Sequence, residues 1–285
     1  MTPPTVSDIP ALRRTLDDVR RAGRSVGLVP TMGALHRGHT SLMDLARPAN
    51  DFVVVSIFVN PTQFGPKEDF GRYPRTPAQD LELCGRAGVD LVFAPTAETM
   101  YPPGSHTFVE VAELQDGLCG ASRPGHFRGV ATVVLKLLNL VRPDRAYFGQ
   151  KDAQQVRVIR QMVRDLNVPA EIVVGPTVRE ADGLALSSRN QYLDAGQRRE
   201  ATVLFRALRE AQAMVEAGER DGPAVRRHLV ERIAATPGAA LDYAEVVDSE
   251  TLRPLDRLRG TVLAAVAVKF GATRLIDNIE FRVGA

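Results

Sequence analysis

The sequence has little cysteine and no excess of either charge. Its two cysteines, Cys84 and Cys119, stand far apart with no C-x-x-C spacing. That pattern points to buried thiols in a reducing cytosol rather than to a disulfide scaffold. There are 36 basic and 34 acidic residues, closely interspersed, for a net charge of +2. Such a balance gives no electrostatic footprint for nucleic acid or for an anionic membrane. No apolar run approaches the roughly 18 residues that a membrane span needs. The start, Met1-Thr2-Pro3-Pro4, lacks a basic segment followed by an apolar one, so no signal peptide is expected. Internal repeats and low-complexity tracts are also missing. The expectation is a cytoplasmic protein with neither nucleic acid nor membrane as partner.

Two nucleotide loops are absent as well. No G-x-G-x-x-G is present. Gly33 to Thr40 reads G-x-x-x-x-G-H-T, which has histidine where a Walker A loop needs the lysine that reaches the phosphates.

What is there instead is Pro30-Thr31-Met32-Gly33-Ala34-Leu35-His36-Arg37-Gly38-His39. The apolar run Ser25–Val29 before it reads as a buried strand, and Thr40–Ala46 after it has apolar residues at helical spacing. A strand, a glycine-containing turn and a helix start make an anion site. Backbone N–H groups and the positive end of the helix dipole point into the turn. His36 and His39 lie on one face of the first helical turn and add imidazole donors. Gly38 between them lets a ligand approach the backbone.

A length of 285 residues, 44% of them hydrophobic, suggests two domains with sizeable cores. Residues 7–22 read as a helix with Ser7 and Asp8 as cap candidates. Asp51–Val59 is almost continuously apolar, as a strand covered on both faces would be, so the sheet is expected to be parallel. That strand ends in Asn60-Pro61-Thr62-Gln63, placing two amides at a carboxyl end, where ligands of α/β sheets gather. The stretch from Pro61 to Pro77 is long and proline-rich, as active-site lids often are. Residues 77–87 read as a helix, Asp90–Pro95 as a strand and Thr107–Val111 as a short edge strand. Gly117–Gly129 is a glycine-rich connection with Arg123, His126 and Arg128, and an apolar helix runs from Val130 to Val141. Arg145–Asp152 repeats the strand–glycine–helix theme. Lys151 at a helix start opposes the dipole, a conflict that a phosphate would repair. Ala170–Gly175 is a further strand. Ser187-Ser188-Arg189 offers two hydroxyls and a guanidinium to an anion. Residues 194–218 and 221–235 read as helices, with strands at 242–247, 261–268 and 273–281.

The motif around His36 matches the H-x-G-H signature of the nucleotidyltransferase superfamily. The longer run, with the later motifs in order from about Val29 to Asn190, resembles the pantoate–β-alanine ligase family. The resemblance implies a Rossmann-like parallel α/β sheet domain that binds ATP and pantoate (1–177) and a smaller α+β C-terminal domain covering the active site (178–285). It implies His36, His39 and Lys151 as catalytic residues. It places ATP on Met32, Gly149, Lys151, Asp152, Val178, Ser187, Ser188 and Arg189, and pantoate on Gln63, Gln155 and Met32. Asn60, Tyr73 and Arg123 match cavity-lining positions, and Asp80 matches one near magnesium-bound phosphates. Gln150, Ala153 and Leu186 depart from the usual glutamate, aromatic and methionine.

The resemblance also implies ATP as substrate, Mg2+ as cofactor, pantoate and β-alanine as partners in the reaction, and a homodimer. Two other readings compete. Another H-x-G-H nucleotidyltransferase would want an extra basic cluster for a phosphate-bearing substrate, and none is evident. A non-catalytic nucleotide sensor would not need both histidines and Lys151 together.

Overall fold

A strand that is apolar along its whole length needs cover on both faces, so the sequence dictates layers of helix on sheet. The computed structural model describes residues 2–66 and 68–284. The chain divides into two compact units, one of Met1–Gln115, Arg123–Gln150 and Gln155–Pro176, the other of Asp116–Ser122, Lys151–Gln154 and Thr177–Ala285.

The first unit holds β1 (Thr5–Val6), β2 (Val26–Thr31), β3 (Phe52–Ile57), β4 (Leu91–Phe93), β5 (Arg145–Gly149) and β6 (Glu171–Gly175). They form one parallel sheet in the order β1-β4-β3-β2-β5-β6. Between them run the helices α1 (Ile9–Arg21), α2 (Arg37–Ala46), α3 (Pro77–Arg86) and the single turn α4 (Ala97–Met100). The short α5 (Cys119–Ser122) belongs to the second unit, and α6 (His126–Val141) and most of α7 (Ala153–Asp165) to the first. This is the Rossmann-like architecture that the resemblance implies.

Helix α1 shows why these segments fold as they do. Asp8 accepts a bond from the Ala11 N–H (2.8 Å), Pro10 occupies the first turn, and Arg20 and Arg21 complement the dipole at the other end. Its spaced Leu12, Leu16 and Val19 are buried. All of β3 except Ile57 is buried, as a doubly covered strand must be.

The strand order positions the site. The chain steps outward from β2 through β3 to β4 on one side, then from β5 to β6 on the other. Direction reverses between β2 and β5. The crevice outside the carboxyl ends of strands at such a point is where ligands bind in open α/β sheets.

The second unit adds α8 (Ala195–Glu200), α9 (Val203–Glu216) and α10 (Gly222–Ala234) to an antiparallel sheet of β7 (Ala239–Asp248), β8 (Thr261–Phe270) and β9 (Thr273–Arg282). The alternation of β8 divides two cores. Val262, Ala264, Val266 and Val268 join Leu204, Leu208, Val225 and Leu229. Leu263 and Ala265 face the other way, with Leu118, Ala153 and Val247.

Two expectations need correction. Thr107–Val111 forms no strand. The sheet edge beside β4 is filled by β1, and the segment is tied to α6 by side chains instead. The Val109 N–H donates to Thr132 Oγ1 (2.9 Å), and the Arg128 guanidinium lies over the Phe108 ring (3.9 Å). Residues 194–218 make two helices, not one. The chain breaks at Ala201-Thr202, where the Thr202 hydroxyl turns back to the Arg199 carbonyl (2.7 Å), a local bond that competes with helix.

Cys84 and Cys119 are buried, and burial, with Asp80 nearby, pushes the Cys84 thiol up to about 12, which leaves it inert. Among the described residues, no helix is long and apolar enough to cross a membrane.

Candidate active site

The motif leaves β2 through a turn that glycine makes possible. Gly33 has φ +80°, and a Cβ there would lie 3.0 Å from Asp80 Oδ2 and 3.1 Å from Ile57 Cγ2. Ala34 follows at φ 50°, a strained value for a residue with a side chain. Asp80 holds this turn in place. Its Oδ2 accepts from the Ala34 N–H (3.0 Å), and its Oδ1 accepts from the Leu35 N–H (2.8 Å) and the Thr76 hydroxyl (3.0 Å). The Asp80 side chain is 1% exposed. Three of the carboxylate's roughly four lone-pair directions are thus committed to the turn and the start of α3. Among the described residues, no group of three or more His, Cys, Asp or Glu could hold a metal ion.

His36 and His39 cap α2 reciprocally. His36 Nδ1 accepts from the Gly38 N–H (3.1 Å), and His39 Nδ1 accepts from the His36 N–H (3.2 Å). Their ring centroids are 4.1 Å apart. An imidazole that accepts at Nδ1 and is neutral carries its proton on Nε2. Both rings therefore present Nε2–H donors beside the positive end of the helix. The backbone N–H groups of His36 and Gly38 are thereby already used at this helix start.

At the end of β3, Asn60 is 1% exposed and fully engaged. Its Oδ1 accepts from the Tyr101 hydroxyl (2.9 Å) and from Thr62, and its Nδ2 donates to Gln63 Oε1 (3.1 Å) and the Gly129 carbonyl (3.2 Å). Asn60 thus shapes the site rather than reaching into it. Gln63 Nε2 lies 3.1 Å from Met32 Sδ. The Gln63 carbonyl accepts from Arg123 Nη2 (3.2 Å) and His126 Nδ1 (2.8 Å). The structure therefore brings Met32, Asn60, Gln63 and Arg123 into one network. Tyr73 is buried against the edge of Phe64 (5.9 Å). Gly149 ends β5 opposite Gly175, and Gln155 lies on the first turn of α7.

The second unit holds the remaining residues. Lys151 and Asp152 sit in a 3-10 turn (Gln150–Asp152) just before α7, one step earlier than the expected helix start. Burial pulls the Lys151 ammonium below the ordinary lysine value. Asp152 and Asp277 oppose that shift, and Arg189 adds to it. The Lys151 carbonyl accepts from Asn278 Nδ2 (2.8 Å). Asp277 is 2% exposed and takes both Arg179 nitrogens, at 2.6 and 2.9 Å. Val178 is tied to the residue before Ser187-Ser188-Arg189, its carbonyl accepting from the Leu186 N–H (3.0 Å). Ser187 caps a 3-10 turn (Ser188–Tyr192), its hydroxyl accepting from the Arg189 N–H (3.3 Å).

Sequence reasoning missed Glu68, Tyr101, Gly129, Arg179, Asp277 and Asn278. Their roles depend on partners distant in the chain, and the one local signal is a glycine inside an otherwise apolar helix at position 129.

A sequence profile of the pantoate–beta-alanine ligase family matches residues 4–280. The chain belongs to the pantoate–beta-alanine ligase family. It is 55% identical over 279 residues to the pantothenate synthetase of Acetivibrio thermocellus, covering 98% of each chain. It is 58% identical over 275 residues to that of Moorella thermoacetica, covering 96% of this chain and 97% of the other. The crystal structure of pantothenate synthetase from Thermus thermophilus superimposes with a TM-score of 0.92 at 50% identity, over 97% of this chain and 98% of that one. A pantoate–beta-alanine ligase from Francisella tularensis, crystallised with beta-gamma ATP and beta-alanine, gives 0.80 at 35% identity, over 97% of each chain.

Proposed function

We propose that this ligase condenses pantoate with β-alanine at the expense of ATP, giving pantothenate, AMP and pyrophosphate. A pantoate carboxylate oxygen attacks the α-phosphorus in line, the bond to the β-phosphate oxygen breaks, and pyrophosphate leaves. The β-alanine amine then attacks the acyl carbonyl of pantoyl adenylate, loses a proton, and AMP departs with the electron pair of the broken acyl–oxygen bond.

The reading rests on family membership together with one observation, the reciprocal histidine cap at the topological switch of the sheet. In it, the Nε2–H groups of His36 and His39 and the Lys151 ammonium stabilise charge that develops on the phosphates. Lys151, Asp152, Met32, Gly149 and Val178 hold the nucleotide, while Ser187, Ser188 and Arg189 hold the departing pyrophosphate. Gln63 and Gln155 recognise pantoate, with Met32 alongside, in a site that Asn60, Tyr73 and Arg123 shape. Magnesium would come with ATP and offset the charge of its phosphates; among the described residues no cluster of His, Cys, Asp or Glu forms a site for it by itself. The engagement of Asp80 with the turn supports that assignment. The protein works in the cytoplasm as a homodimer, without nucleic acid or membrane.

The test is isotope exchange. Labelled pyrophosphate is expected to enter ATP when pantoate is present and β-alanine absent, and AMP and pantothenate to form together once β-alanine is added. Release of AMP with no dependence on pantoate would overturn the reading.

A further inference from the structure

The Gln63 amide has a side-chain neighbour at either end, Asn60 and Met32, yet its backbone leaves β3 through a single 3-10 turn (Pro61–Gln63). Such a turn does not fix a side chain by itself. Three contacts from elsewhere in the first unit brace it. The helix α6 lies so close that a Cβ on Gly129 would fall 2.3 Å from the Thr62 carbonyl oxygen and 2.7 Å from the Gln63 nitrogen. His126, on the first turn of α6, donates from Nδ1 to the Gln63 carbonyl (2.8 Å). Arg123 donates to the same oxygen (3.2 Å).

The last two contacts are coupled. Arg123 Nη1 lies 3.1 Å from His126 Nε2. A guanidinium can only donate, so Nε2 accepts, and the ring keeps its proton on Nδ1, aimed at Gln63. This is the opposite tautomer to that of His36 and His39. The orientation of Arg123 thus sets the donor that holds Gln63. Arg123 is itself held by Glu68, whose two oxygens take Nε (2.6 Å) and Nη2 (2.5 Å) in a fork. Both side chains are largely buried, 15% and 26% exposed, so the pair is poorly screened. Burial pushes the Glu68 carboxyl up, but the hydrogen bonds and charge of Arg123 outweigh it and hold the group below its ordinary value.

We infer that Glu68 is a positioning residue for pantoate recognition: through the Arg123 fork and the Nδ1–H tautomer of His126 it fixes the Gln63 backbone, and with it the amide that reads the substrate. The inference rests on the assignment of Gln63 to pantoate. Glu68 acts through the other residues and does not touch the substrate itself.

The test compares wild type with Glu68→Gln and Glu68→Asp by two readouts. Steady-state kinetics are expected to show KM for pantoate rising about tenfold in Glu68→Gln while KM for ATP stays within about twofold, because misplacing one recognition group weakens that substrate alone. Glu68→Asp, which keeps the charge, is expected to recover part of the loss. Hydrogen exchange is read in parallel on the protein without substrates, where Glu68→Gln is expected to raise amide exchange over residues 62–64 and leave β2 unchanged. Equal rises in both KM values, unchanged KM for pantoate, or unchanged exchange over residues 62–64 would each overturn the inference. A wild-type protein without pantoate-dependent exchange of pyrophosphate overturns the proposed function instead. The hydrogen-exchange comparison then still decides whether Glu68 braces Gln63.

Discussion

His36 and His39 are held by bonds that span two and three residues of chain, whereas the turn that carries Lys151 is held by one that spans 127. The two regions share a task in the proposed reaction and solve it by opposite means. In the first unit a helix start caps itself, and the capping rings become the donors. In the second, a lysine in a short turn depends on β9, where Asn278 holds the Lys151 carbonyl and Asp277 supplies opposing charge from a buried pair with Arg179. Local construction leaves a mark in the sequence, while long-range construction spreads it over segments that look unrelated. The same contrast predicts how each region fails.

The largest effect is expected where the long-range scaffold is cut. Asp277→Asn leaves the Arg179 guanidinium without its carboxylate in a buried place, which costs about 3–5 kcal/mol of stability in denaturant or thermal unfolding. It also removes a negative charge that holds the Lys151 ammonium in its charged form. Lys151 already lies below the ordinary lysine value, so activity that needs the ammonium falls as pH rises through that lowered value. Without Asp277 the alkaline limb of kcat is expected to move to still lower pH. A limb that stays in place, in protein confirmed as folded, would separate Asp277 from Lys151 and break the comparison.

The next effect sharpens the local side. His36→Asn puts an amide oxygen near the position of Nδ1 and so keeps the cap on α2, but it has no group at the position of Nε2. Adenylation, followed by pyrophosphate exchange, is expected to drop about 10²–10³-fold, the scale of losing one preorganised donor. The melting temperature should stay close to wild type, because asparagine is among the best N-caps. Near-normal exchange in this variant would mean that His36 serves the helix alone.

This contrast also explains what the sequence made legible. The long apolar strands and the strand–turn–helix at His36 were evident because each carries its own periodicity and punctuation. The two residues of β1, Thr5 and Val6, are too few to show any period. Thr107–Val111 has the composition of a strand, but composition does not reveal that β1 occupies the edge beside β4. The break at Thr202 turns on one hydroxyl bond within a continuous amphipathic pattern. In the site, Met32, Gln63 and the histidines stand inside motifs. Glu68 reads as an ordinary loop charge, and Asp277-Asn278 as a polar pair in a strand, until their partners are known.

A smaller effect is expected at Gly129, a long-range contact within the first unit. Gly129→Ala drives a Cβ toward the backbone of Thr62 and Gln63, which has no flexible end to swing aside. Overpacking of this kind costs about 1–3 kcal/mol. Because the displaced backbone carries Gln63, KM for pantoate is expected to rise while KM for ATP does not. Loss of stability with both KM values unchanged would show that α6 supports the fold without serving the substrate.

The smallest effect is expected in magnesium, at Asp80. This carboxylate joins the first turn of α3 to the strained turn before His36, taking three donors on two oxygens. Asp80→Asn keeps the shape, but its amide nitrogen must face a backbone N–H, of Ala34 in one orientation or of Leu35 in the other. Either way one buried donor loses its acceptor, at about 1–3 kcal/mol. Ala34 at φ 50° is then held less firmly against its own backbone preference. Turnover should fall about tenfold if the turn positions His36 for the proposed reaction, because small displacements of a reacting group are expensive. The concentration of magnesium needed for half-maximal rate should stay within about twofold of wild type, since the Asp80 carboxylate is committed to the turn. A several-fold rise in that concentration, with the melting temperature unchanged, would make Asp80 a metal ligand and show that the turn before His36 does not depend on its clamp.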